Sequence, residues 1–202
     1  MKRDRTSGFL FPEMAPYTMR EIGDAAEVER LSQVATDGNL VVPLRSMTDS
    51  VPGTQAPMLF DSRHIYRSAD ILVLGRYSRF EEVKAKSKPG WHGKMNRWEQ
   101  GIDLECFRDY RAAEKAGGIP WIIVLRELRS PVDPTCRSKL IGPGMWLFAP
   151  LKPLWLHGHH VLDWPSKDDR GKGGKGGWLW PRSAMARLTE EAIRDVLDSC
   201  RS

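Results

Sequence analysis

The sequence predicts a mixed α/β fold, a central mixed sheet flanked by helices. Three observations point there. An amphipathic helical pattern opens the patterned part of the chain. A hairpin pattern follows at 69–87. A second helical pattern then runs straight into "IPWIIVL", Ile119–Leu125, which is apolar on both alternating faces. A strand apolar on both faces is one covered on both sides, and a helix before it places helices against the sheet.

Each element follows from its local chemistry. Residues 1–17 read as an irregular arm, because Pro12 and Pro16 break regular structure. Thr18 and Glu21 form a capping box. The helix behind them carries Met19, Ile22, Ala26, Leu31 and Val34 as its apolar stripe, with Glu27 bordering it, and stops near Gly38. Asn39–Leu44 is a short strand, and Pro43 confines it to an edge or strand end. Turn-rich residues fill 45–60. Ala69–Leu74 and Phe80–Ser87 pair as a hairpin, and Lys86–Asp103 reads as a linking loop. Asp103–Ala116 is helical, with Leu104, Phe107, Tyr110 and Ala113 near one face, and Gly117 and Gly118 end it. Beyond 127 the pattern weakens to short strands at 145–149, 160–164 and 178–180, with a flexible Gly/Lys loop over 168–177. Thr189 caps the last helix, with Leu188 and Ile193 as a hydrophobic staple. The expected organisation is an arm over 1–17, a core over 18–127 and a C-terminal extension over 128–202 packed on it.

A chain of 202 residues with 41% hydrophobic and 28% charged residues suits one globular domain and excludes global disorder. Eight Trp require several to be core anchors. The three Cys, at 106, 136 and 200, are odd in number and lack C-x-x-C spacing. That argues against a disulfide framework or zinc ribbon and for a reducing compartment. The basic N-terminus lacks an apolar signal region, and no apolar run reaches membrane length, so a cytoplasmic location is expected. The net charge of +5 is compatible with a polyanionic partner, and its distribution is more telling.

The chemistry-bearing residues lie in the hairpin. Glu82 and Lys84 are two apart in a strand and share a face, while Glu81, Val83 and Ala85 point the other way. A carboxylate beside an ammonium suits phosphodiester hydrolysis. The acid holds a hard divalent cation, and the lysine serves the attacking water or the developing charge. A second carboxylate is normally needed for Mg²⁺, and Asp70 is in line for it. Register decides. A three-residue loop, Gly75–Tyr77, sets Asp70 opposite Glu82. A five-residue loop, Gly75–Arg79, sets it opposite Lys84. An even, symmetric loop sets it opposite Val83, on the wrong face. A charged, solvated hairpin is the ordinary alternative.

In order and spacing, residues 18–127 resemble the PD-(D/E)XK nuclease superfamily. "SADILVLG" keeps the acid, Asp70, with Ala69 where proline is common, and "EEVKAKS" supplies Glu82 and Lys84 as the E-x-K element. "GDAAEVERLSQVATDGNLVVP" is similar to the first helix of that family, and Glu27 matches its acid in the exonuclease and resolvase-like branches. "GIDLECFRDYRAAEKAGGIPWIIVL" is similar to the helix and strand after the E-x-K strand, with Tyr110 at the usual aromatic position. The resemblance implies a restriction-endonuclease-like αβββαβ core. It also implies Mg²⁺ (or Mn²⁺) bound by Asp70, Glu82 and Glu27, Lys84 beside the attacking water, and DNA as the substrate. Cutting both strands of a duplex would call for a homodimer. Nuclease genes of this compact kind are common in phage and mobile elements.

"KSKPGWHGKMNRWEQGID" interleaves basic and aromatic side chains, which suits a nucleic-acid strand. The expected contacts are Lys86, Lys88, Trp91, His92, Lys94, Arg97 and Gln100, joined by Lys172 and Lys175 of the Gly/Lys loop. Trp98 reads as core. "HGHH", His157–His160, reads as a surface turn, since no second metal-ligand cluster accompanies it. "GKGGKGG" does not satisfy the Walker A pattern. Two other functions fit the same residues: a catalytically inactive nucleic-acid-binding or regulatory module, and a protein-interaction factor using the Trp-rich 145–180 region.

Overall fold

The computed structural model describes residues 19–44, 58–60, 62–137, 141–162 and 176–199. The arm, Thr18, Lys172 and Lys175 fall outside that set.

The helix α1 (Met19–Thr36) leads into β1 (Leu40–Pro43). A small hairpin, β2 (Met58–Phe60) and β3 (Ile65–Arg67), precedes β4 (Ile71–Leu74) and β5 (Arg79–Lys86). Next come β6 (Gly90–His92), β7 (Arg97–Asp103), α2 (Leu104–Gly117), β8 (Trp121–Pro131) and β9 (Ile141–Pro150). The chain closes with α3 (Leu151–His157), β10 (His159–Val161), β11 (Gly177–Pro181), a 3₁₀ turn at Arg182–Ala184, β12 (Ala186–Arg187) and α4 (Glu190–Ser199).

The main sheet has six strands in the order β1-β4-β5-β8-β9-β12. Only β5 and β8 run parallel, joined across α2, and the other neighbours are antiparallel. The sheet is therefore mixed and flanked by helices, and its α1-β1-β4-β5-α2-β8 part has the predicted αβββαβ order. β1 is the edge strand, as Pro43 requires. Gly118 ends α2 with φ 65°, its N–H donating to the Glu114 carbonyl, a left-handed position that glycine takes without strain. Thr189 caps α4 through its Oγ1, which accepts the Ala192 N–H at 3.1 Å.

The two sheet faces have separate cores. One packs Ala26 and Val34 of α1 and Ile193 and Leu197 of α4 against Ile71, Val73, Val83, Ile122 and Val124. The other packs Phe107, Tyr110 and Ala113 of α2 and Leu151 and Leu154 of α3 against Phe80, Trp121, Ile123 and Leu125. Alternation along β5 sends Phe80, Glu82, Lys84 and Lys86 to the α2 face and Arg79, Glu81 and Val83 to the α1 face.

Two parts of the prediction need correction. Lys86–Asp103 is not a loop: β6 and β7 form half of a second, four-stranded sheet ordered β10-β11-β7-β6. Trp98, Gln100 and Ile102 are all buried at period two, but the Gly, His and Lys before them hide the strand signal. The chain beyond Leu125 is also more regular than predicted. β8 continues to Pro131 and pairs with ten-residue β9, so the main sheet extends past the predicted core.

Candidate active site

The β4–β5 register has Ile71 opposite Glu81, Leu72 opposite Phe80 and Val73 opposite Arg79. One step back sets Asp70 level with Glu82, and one step forward sets Leu74 level with Ser78. The connection is thus the three-residue loop Gly75–Tyr77. Its opening residue, Gly75, has φ 145°, and Ser78 Oγ closes the loop by donating to the Gly75 carbonyl at 2.8 Å. The even register that would have turned Asp70 away is not the one adopted.

Asp70 is fixed by its backbone and side chain together. Its carbonyl accepts the Leu44 N–H at 2.9 Å, and its Oδ2 accepts the Val83 N–H at 2.8 Å. Glu82 is buried and accepts the Tyr110 hydroxyl proton on Oε1 at 2.7 Å. Lys84 Nζ contacts the same Oε1 and lies 3.9 Å from Asp70 Oδ2. Its side chain is 34% exposed, so the ammonium sits at the mouth with the two acids behind it.

Two carboxylates face one ammonium, which leaves the cluster short of positive charge. The titration behaviour follows. Burial first, and the Asp70 carboxylate second, push Glu82 up to about 7, against the pull of Lys84 and Tyr110. Burial alone would lower Lys84, but the Glu82 and Asp70 carboxylates outweigh it and hold the ammonium protonated above its usual range. Tyr110 is pushed well up, by burial and then by the neighbouring Glu82 charge. It keeps its proton and serves Glu82 as a hydrogen-bond donor.

Glu27 is placed differently. The inward side chains of α1, Ala26, Arg30 and Val34, meet the opposite sheet face. Among the described residues, Glu27 does not complete a three-carboxylate cluster with Asp70 and Glu82 close enough to share one ion.

The basic segment leaves β5 at Lys86, which shares the face of Glu82 and Lys84. Lys86, Lys88, Trp91 and His92 line a cleft of about 240 Å³ beyond the end of β5. Lys94 is exposed on the β6–β7 turn. Trp98 is core as predicted, with its indole N–H donating to the Cys136 carbonyl at 2.9 Å, and Trp91 packs edge-on against it at 5.3 Å. Two predicted contacts are committed elsewhere. Gln100 is buried and donates its amide to Glu127 at 2.7 Å, so it forms the cleft floor rather than a reaching arm. Arg97 turns to Glu99 at 2.8 Å.

Sequence reasoning missed Arg67, which brings a further cation to the rim. It donates to Cys106 Sγ at 2.8 Å and lies 3.5 Å from Asp109. Its three-residue strand is too short for a periodic signal. It also missed that "HGHH" is not a lone turn. His159 belongs to β10, and its ring lies 5.4 Å from that of His92. Only the register of the second sheet brings those residues together.

No protein-family model matches the chain, and no curated protein matches it. Among solved structures, the chain is similar to the Holliday junction resolvase Hjc of Archaeoglobus fulgidus. The identity is 13%, with 85% of this chain and 95% of that chain covered, at a TM-score of 0.46.

Proposed function

We propose that the protein is a divalent-metal-dependent nuclease that hydrolyses phosphodiester bonds in DNA. The observation that carries this reading is the charge deficit where Asp70 meets β5. Asp70 and Glu82 converge on a single ammonium, and burial first, then the Asp70 carboxylate, push Glu82 up to about 7. Structural ion pairs are normally balanced. A buried acid pair left one charge short, open at its mouth and next to a basic cleft, fits a cation and a phosphate.

The donor set is all oxygen, which suits Mg²⁺ or Mn²⁺ and not a thiophilic ion. Asp70 and Glu82 would hold it. When bound, the ion polarises a phosphoryl oxygen and acidifies a water. The remaining work falls to the chain. Asp70 is locked by two backbone hydrogen bonds, so its carboxylate direction is fixed before substrate arrives. Tyr110 orients Glu82 and favours its ionised form. Lys84, protonated at neutral pH, acts as a donor to the attacking water or to a non-bridging phosphoryl oxygen, where negative charge grows in the transition state. Lys86, Lys88 and Lys94 meet phosphates along the cleft, and Trp91 offers a face to an unpaired base. Glu27 of α1 is not assigned to this metal site, because it completes no three-carboxylate cluster with Asp70 and Glu82 among the described residues.

The test is a cleavage assay on the full chain with Mg²⁺, Mn²⁺ or EDTA, using linear duplex, circular and single-stranded DNA and RNA. Cutting of DNA is expected with either metal and not with EDTA. Salt-sensitive binding without cutting under any condition would replace the enzyme with a binding module on the same fold.

A further inference from the structure

A second cluster lies outside the acid pair. His92 of β6, Glu99 of β7 and His159 of β10 each place one ligand-capable atom within 4.8 Å of the other two. The ladders explain the convergence. His92 pairs with Arg97, two residues from Glu99, and His159 pairs with Leu179, which pairs with Gly101, two residues beyond Glu99. Period-two alternation therefore sends all three side chains to one face of the second sheet. The opposite face, with Trp98 and Trp180, packs into the core.

Two atoms in this cluster lack partners among the described residues. Glu99 is buried, and its Oε2 accepts no hydrogen bond; His159 faces Glu99 Oε1 through Nδ1, at 3.7 Å, and its Nε2 is buried without a partner. Few buried polar atoms stay unpaired in folded proteins, and a bound ion is one accepted reason when they do. Glu99 Oε1 is held at 2.8 Å by Arg97, a third of whose side chain is exposed, and His92 Nδ1 accepts the Met95 N–H at 3.1 Å on an exposed turn. Arg97 also lies 3.5 Å from His159 Nδ1, so its guanidinium, a third exposed, is the group an ion would displace, while the Met95 contact lies on an exposed turn.

We infer that His92, Glu99 and His159 form a transition-metal site of the Zn²⁺ class, distinct from the Asp70–Glu82 pair. Two imidazoles and one carboxylate are borderline donors that select Zn²⁺ or a similar first-row ion over Mg²⁺. The ion replaces Arg97 as the countercharge of Glu99, and its fourth position stays open to water. It ties β6, β7 and β10 together and so fixes the basic turn at 93–96 against the second sheet. This site does not depend on the nuclease reading.

The experiment uses full-length, chelator-treated protein titrated with Co²⁺ and then Zn²⁺. The Asp70→Asn/Glu82→Gln double variant is run beside it to remove the oxygen site. The expected result is one equivalent of Co²⁺ with visible bands of a nitrogen-containing low-coordinate site, displaced by Zn²⁺, in both proteins. His92→Ala and His159→Gln should each weaken Zn²⁺ binding at least about 100-fold. A measurement free of folding effects accompanies them: in the wild-type chain, one equivalent of Zn²⁺ should shift the ring signals of two of the five histidines. The inference is overturned if wild type takes up no stoichiometric Zn²⁺ at micromolar concentration. Shifts of none of the rings, or unchanged affinity in folded His92 and His159 variants, would overturn it equally.

Discussion

Glu81 and Glu82 are neighbours on one strand, both buried, and the molecule treats them in opposite ways. Glu81 faces α1 and is saturated. Its Oε2 accepts Arg30 Nε at 2.8 Å, and its Oε1 accepts Arg79 Nε at 2.7 Å and the Arg30 terminal nitrogen at 2.9 Å. Glu190 of α4 accepts from both arginines, so two guanidiniums face two carboxylates and the group is neutral. Although burial opposes it, the two arginines hold the Glu81 carboxyl below its usual range. Glu82 faces α2, shares one lysine with Asp70, and is pushed up to about 7. One acid is finished and ties three elements together. The other shares its one ammonium with Asp70, and in the proposed function it is the acid that takes a cation.

The largest expected effect comes from removing the reserved charge. Glu82→Gln and Lys84→Met should each cut metal-dependent cleavage by about 10³-fold or more, the scale for losing a group aimed at developing charge. Circular dichroism and DNA binding should stay close to wild type, because neither side chain is tied into the buried arginine group that holds Glu81. Wild-type cleavage rates in both variants would show that Glu82 is as structural as its neighbour.

Glu81→Gln sharpens the contrast from the other side. It leaves two buried guanidiniums facing Glu190 alone. Breaking a buried ion group in this way costs about 3–5 kcal/mol. Denaturant unfolding should show that loss, while the folded fraction keeps its cleavage rate per molecule. The pH signs differ too. Glu81 has a lowered pKa, so its stabilising contribution is present above the unfolded value of 4.5 and is lost as pH falls through the folded one. A rate that collapses in folded Glu81→Gln would place Glu81 in the machinery instead.

The third effect is a proton–metal competition. Glu82 must lose its proton to ligate an ion, so Mg²⁺ affinity should fall up to tenfold per pH unit below about 7, measured by calorimetry at fixed ionic strength. For the metal-free fold the sign reverses relative to Glu81. A carboxyl raised from 4.5 favours folding below 4.5, and that contribution is lost as pH rises to about 7. Added Mg²⁺ should restore it. A pH-independent Mg²⁺ affinity between 5 and 8 would mean that Glu82 is not a ligand.

Strand parity alone separated Glu82 from Glu81 and joined Glu82 to Lys84, because a period of two is a property of the backbone. The same arithmetic reduced the place of Asp70 to the length of one loop. What parity could not show was the partner of each glutamate. Arg30 sits in the apolar row of α1 between Ala26 and Val34, where a charge reads as a break in the stripe until Glu81 is seen beneath it. Likewise, Gln100 and Arg97 look like phosphate contacts in a basic segment, and only the second sheet reveals that Glu127 and Glu99 already hold them. Long-range pairing, across 51 residues for Arg30–Glu81 and 67 from His92 to His159, leaves no local trace.

The smallest effect tests how finely Glu82 is poised. Among the described residues Tyr110 is the one neutral donor on its carboxylate, at 2.7 Å, and it favours the ionised form. A hydrogen bond to a charged group is worth about 1.5–3 kcal/mol, and one pKa unit corresponds to about 1.4 kcal/mol. Tyr110→Phe should therefore raise the Glu82 pKa by roughly one unit while keeping the ring stacked on Trp121 at 4.8 Å. The acidic limb of the cleavage pH profile should move up by about that amount, with the plateau rate at high pH within a few-fold of wild type. A merely structural tyrosine would lower the rate at every pH and leave the limb where it was. If the limb does not move, the hydroxyl orients Glu82 without tuning it, and the raised pKa rests on burial and Asp70 alone.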